Sequence, residues 1–169
     1  MPMSDYLAWI HGKADRSTGA LVPVRLVTAG TAYSEDQLDF GTATAATTST
    51  AGTPGVSNLL GMFSNGAIRM GLHVIITEAY NSPMTSATIF INTSATNAQT
   101  TGTVLTERAF SVTQLAVLGA YYFIPLPPGG TPNSPNILEF LAAGITVAGG
   151  TPTTGSVEMW FGPDADGGI

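Results

Sequence analysis

Residues 72–80 read LHVIITEAY and residues 86–94 read SATIFINTS, two runs separated by a turn at Asn81-Ser82-Pro83-Met84. Leu72, Val74 and Ile76 share one face of the first run, and Ala87, Ile89 and Ile91 share one face of the second. An apolar period of two, carried largely by β-branched residues and closed by a Pro-containing turn, is the pattern of strands buried on one side. The pattern continues toward the C-terminus in TVLTERAF (103–110), YYFIPLP (121–127), ILEFLAAGITV (137–147) and SVEMWFG (156–162). In the last of these, Val157, Met159 and Phe161 oppose Glu158 and Trp160. The loops PPGGTPNSP (127–135) and AGGTPTTG (148–155) punctuate these runs with Gly and Pro, and no helical period interrupts them. The expected fold is all-β, a jelly roll or β-sandwich, with residues 69–169 as its core.

The N-terminal part, residues 1–68, reads differently, as an extended arm and a long low-charge loop that contribute edge strands. Tyr6, Leu7, Trp9 and Ile10 mix with scattered charges, and the spacing of Leu7 and Ile10 allows one or two helical turns. LVPVRLVT (21–28) reads as extended, with Pro23 confining it to an edge because it cannot donate to a ladder. Ser34 and Gln37 have capping-box spacing, which a turn would satisfy equally well. Residues 41–68 are rich in small residues and show neither period, yet contain an apolar island of Leu59, Leu60, Met62 and Phe63. A group of that size needs a surface to bury it, in the same subunit or in a neighbour. Tyr6, Leu7, Trp9, Ile10, Leu59, Leu60, Met62 and Phe63 are therefore the candidate subunit or partner interface.

Charged residues make up only 9% of the 169-residue chain, against roughly 25% in ordinary soluble domains. A Thr/Ser/Ala/Gly surface has little side-chain entropy to lose and little charge to desolvate when a partner docks. The composition points to a protein whose surface is largely covered by others; a neutral extracellular β-protein is the alternative. The net charge is −6, and Lys13, Arg16, Arg25, Arg69 and Arg108 form no cluster in sequence. Nucleic acid and anionic membranes are unfavourable partners for such a chain. With no cysteine there is no thiolate chemistry or disulfide framework. The N-terminus lacks the basic start and apolar run of a signal peptide.

Catalytic patterns are not evident. His11 and His73 are isolated, and no G-x-S-x-G, H-E-x-x-H or phosphate-binding glycine loop occurs. Glu78, Glu107, Glu139 and Glu158, one in each of four strands, are the only basis for a carboxylate pair. Asp164-Ala165-Asp166-Gly167 begins like a calcium loop but lacks its later ligands. Asn92-Thr93-Ser94 matches a glycosylation sequon. The threonines show no solenoid period of the kind that ice binding would need. The expectation is a non-enzymatic protein without a cofactor or metal.

The succession IITEAYNSP (75–83), SATIFINTSATNAQT (86–100), AFSVTQL (109–115), YYFIPLPPG (121–129) and NILEFLAAGITVAGGTPTTGSVEMWF (136–161) resembles the capsid cement, or decoration, proteins of short-tailed phages. DQLDFG (36–41) is similar to an element near that family's N-terminus. The fifth strand is more apolar than the family's, and the insert at 42–68 is longer. The resemblance implies a jelly-roll or β-sandwich homodimer or homotrimer on the outside of an icosahedral shell in the virion. Its partner there would be the major capsid protein, whose neighbouring subunits it would clamp. The alternative is a carbohydrate-binding β-sandwich of a phage tail or adhesin, with Trp160, Tyr121 and Tyr122 as the candidate stacking aromatics, of which at most one tyrosine can face outward. A jelly roll that builds closed shells by itself is a further reading.

Overall fold

The structure, a computed structural model, describes residues 9–11, 13–15, 20–22, 24–25, 30–33, 38–39, 70–96, 100, 102–126 and 140–164. For the strands before Gly30, for Leu38–Asp39, and for Met70 and Pro163, it describes the backbone alone. Along the chain the strands are β1 (Trp9–His11), β2 (Lys13–Asp15), β3 (Ala20–Val22), β4 (Val24–Arg25), β5 (Gly30–Tyr33) and β6 (Leu38–Asp39). The longer ones follow: β7 (Met70–Glu78), β8 (Met84–Ser94), β9 (Thr103–Ser111), β10 (Tyr121–Pro125), β11 (Phe140–Gly149) and β12 (Ser156–Pro163). A single helical turn, α1 (Val112–Leu115), joins β9 to β10.

The strands form two antiparallel sheets, in the orders β1-β12-β7-β10 and β5-β11-β8-β9. These orders follow from one folded-back ribbon. The first of its eight members, β1, pairs with the last, β12; β5 pairs with β11, β7 with β10, and β8 with β9. Rolling the ribbon adds the β12–β7 and β11–β8 ladders and closes it into two layers. Numbered from one to eight, the sheets run 1-8-3-6 and 2-7-4-5, the jelly-roll order. The first two members are each broken in two. β4 resumes the track of β1 along β12, after the β2–β3 hairpin, and β6 resumes the track of β5 along β11.

The alternation read in the sequence determines which residues fill the space between the layers. Leu72, Val74 and Ile76 of β7 are buried, as are Ala87, Ile89 and Ile91 of β8 and Val157, Met159 and Phe161 of β12. They join Phe110, Leu115, Ile124, Leu141, Ala143 and Ile145 in one core cluster. Each large aliphatic or aromatic side chain removed from water here contributes roughly 1.5–3 kcal/mol. The helical turns considered near Leu7 and Ile10 are not what forms at Trp9–His11, which pairs with β12 as a strand.

A second departure is α1, a helical turn in the connection between the 103–110 and 121–127 runs, where no helix was expected. Ser111 caps it: its Oγ accepts from the Gln114 N–H at 3.3 Å, and the Gln114 Oε1 accepts from the Ser111 N–H at 2.9 Å. Leu115 anchors it by complete burial, and the Leu115 carbonyl accepts from the Tyr80 N–H at 3.1 Å. The turn that follows is stitched to β7 through Gly119 N–H to the Ile76 carbonyl (2.8 Å) and Ile76 N–H to the Ala120 carbonyl (3.0 Å). Gly119, at φ +76°, takes the left-handed conformation this turn requires.

Candidate interaction surfaces

Trp9 and Ile10 lie in β1, where the Trp9 Cα is in register with that of Trp160. Their side chains, and the whole of Tyr6, Leu7, Leu59, Leu60, Met62 and Phe63, lie outside the described residues, as do Ser34, Gln37 and Glu139.

The outer face of the first sheet carries an aromatic group. β7, β10 and β12 present alternate residues there, so Phe123, His73 and Trp160 stand side by side across three strands. The His73 ring stacks on Trp160 (centroids 5.1 Å apart, planes at 4°) and meets Phe123 edge-on at 5.0 Å. Its Nδ1 shares a hydrogen bond with the Tyr121 hydroxyl at 2.5 Å. His73 is thereby 4% exposed, a histidine built into the sheet surface. Of the aromatics considered for sugar stacking, Tyr121 faces solvent. Tyr122 turns toward the core, packs on Phe110 at 4.7 Å and donates its hydroxyl to the Gln114 carbonyl.

Separated from Tyr121 by Gly119 and Ala120 is the apolar tip Val117-Leu118, 56% and 67% exposed. The Ala120 N–H bonds to the Val117 carbonyl, and the fixed backbone leaves both side chains outside the core. No sequence period marks this pair, because a tight turn has none.

The outer face of the second sheet is concave. Thr31 and Tyr33 of β5, Thr146 of β11, Thr88, Phe90 and Asn92 of β8, and Gly102, Val104 and Glu107 on and beside β9 line a depression of about 340 Å³. Gly144 makes room for it: the Phe90 ring lies where a Cβ on Gly144 would be, 2.2 Å away, and meets Tyr33 edge-on at 5.7 Å. Thr31 and Thr146 share a hydrogen bond between their hydroxyls at 2.9 Å.

Charge is scarce on this surface. Among the residues whose side chains are described, Glu107 and Arg108 are the exposed charged ones, with Glu78, Glu158 and Asp164 partly buried. Arg108 lies over the Phe110 and Tyr122 rings at 5.0 and 5.4 Å, a cation on the inner side of edge strand β9. Charges so placed discourage uncontrolled edge-to-edge pairing.

Glu78 and Glu158 belong to the first sheet and Glu107 to the second. No described group of three His, Asp or Glu side chains is placed to hold a metal. Burial holds the Glu158 carboxyl above its usual range. The sequon asparagine, Asn92, is 2% exposed, so its amide is not presented for glycosylation. Among the described residues no helix is long and apolar enough to cross a membrane. No protein-family model matches the chain, and no curated protein matches it.

Proposed function

We propose that this chain is a capsid cement protein, a jelly roll that binds the outside of an icosahedral phage shell and clamps neighbouring major capsid subunits. The observations that carry the reading are a jelly roll with a continuous core, a chain in which only 9% of residues are charged, and a turn 117–118 that presents bare Val and Leu. Such a surface suits permanent cover better than free solution. The sequence resemblance to the cement proteins of short-tailed phages points the same way. The alternative of a carbohydrate-binding module loses part of its platform on the first sheet, where Tyr122 faces the core and Trp160 is stacked on His73.

The mechanism is multivalent burial. Each copy, acting as a homodimer or homotrimer, contacts more than one shell subunit, and the second contact forms at high effective concentration. Stabilisation follows from binding the expanded shell in preference to its unfolded or unexpanded forms. The arm supplies apolar anchors from Leu59, Leu60, Met62 and Phe63, with Tyr6, Leu7, Trp9 and Ile10.

Calorimetry of expanded shells tests this. Saturating protein should raise the temperature at which the shells rupture, and the Leu59→Ser/Leu60→Ser/Phe63→Ser variant should have no such effect while keeping the native β-sheet circular dichroism. A wild-type protein that leaves rupture unchanged would refute the reading. A triple variant as protective as wild type would remove these residues from the interface.

A further inference from the structure

The concavity on the second sheet has a chemistry of its own, distinct from the apolar tip and the arm. Its lining combines the hydroxyls of Thr31, Thr88 and Thr146, the Glu107 carboxylate and the Tyr33 ring, over a floor in which Phe90 and Asn92 are almost wholly buried. Among the described lining residues there is no Lys or Arg to supply counter-charge to a phosphate or sulfate group, and Glu107 would repel one. The lining is too polar and too open for a lipid or other wholly apolar ligand. What remains is a neutral ligand with many hydroxyls and at least one apolar face.

We infer that this concavity binds a neutral saccharide of one or two sugar units. Tyr33, half-buried and held against Phe90, offers an aromatic surface to the C–H side of a sugar ring. Glu107, exposed on β9 at the opposite wall, accepts from two neighbouring sugar hydroxyls, a charge-assisted arrangement stronger than neutral hydrogen bonds. The threonine hydroxyls, which both donate and accept, complete the polar side. The cavity has the size of a small binding site, at the lower end of the range for such pockets. The register sets Tyr33, Gly144, Phe90 and Glu107 in one row across four strands, and the Phe90 ring fills the space over Gly144 that a Cβ would need.

The inference is independent of shell binding, which uses other surfaces. The test is saturation-transfer NMR and titration calorimetry on the full chain with methyl glucoside, methyl galactoside, lactose, cellobiose and chitobiose, and with glucose 6-phosphate as the anionic control. At least one neutral sugar should bind saturably in the millimolar range or tighter, with the phosphate ester weaker than its parent. Glu107→Gln, on an exposed edge position, should weaken binding about tenfold, and Tyr33→Ala should weaken it further while Tyr33→Phe retains most of it. Each variant is checked for a wild-type unfolding midpoint. Failure of all the neutral sugars to bind, tighter binding of the phosphate ester, or affinity unchanged by Glu107→Gln and Tyr33→Ala would each overturn the assignment.

Discussion

Tyr80, at the end of the β7 stretch, is 2% exposed, and its ring fills the space beside Gly155 so closely that a Cβ there would lie 2.2 Å from it. Gly155 also sits at φ +132°, so the contact and the backbone require glycine together. The Tyr80 hydroxyl is buried and finds no hydrogen-bond partner among the described residues. Burial first, and the Glu78 carboxylate second, raise its phenol well above the ordinary value of 10.0. The unfolded chain therefore gives up this proton first as the solution becomes alkaline. Stability drawn from the neutral phenol is complete below the ordinary value and is lost as pH rises through the folded one. Tyr80→Phe should leave the protein as stable near neutrality, or about 1 kcal/mol more so, because an unsatisfied hydroxyl is removed. It should also flatten the decline above pH ~10. Urea unfolding at both pH values checks this; a loss above about 1 kcal/mol at neutrality would mean that the hydroxyl is bonded after all.

At the scale of elements, the strands of the C-terminal part were legible because apolar residues alternate along the face that meets the core. Sequence runs at 72–80, 86–94, 103–110 and 156–162 became β7, β8, β9 and β12, and in β7, β8 and β12 the expected residues face inward. Of the first two ribbon members, β4 falls inside the 21–28 run read as extended, whereas β5 and β6, pieces of four and two residues, are too short to show a period. α1 escaped for the same reason, although Ser111 and Gln114 carry the capping-box spacing that was noticed instead at Ser34 and Gln37. Ser111→Ala should lower unfolding free energy by about 1 kcal/mol, as loss of an N-cap does elsewhere. It should leave the β-sheet signal intact, and chemical denaturation reads both. No change in stability would show that burial of Leu115 alone holds the turn. The concavity could not be foreseen, because Thr31, Glu107 and Thr146 meet only through ladders that join distant parts of the chain. The burial of His73 had no sequence signal either, its cover coming from β10 and β12.

For the whole molecule, the rolled ribbon leaves β9 and β10 as edges on which no further described strand pairs, and the short N-terminal strands occupy the opposite edges. On the proposed function, low charge, the bare tip at Val117-Leu118 and the apolar residues at 6–10 and 59–63 act together as surface that a partner covers. In that account the core serves rigidity and the surface serves attachment. It predicts that binding depends on the state of the shell, because a clamp across subunits needs the spacing that expansion creates. The most direct measurement is co-sedimentation of the purified chain with empty shells of the phage that encodes it, before and after expansion. The account predicts saturable pelleting with expanded shells and none with unexpanded ones. An absence of pelleting with either form would contradict it.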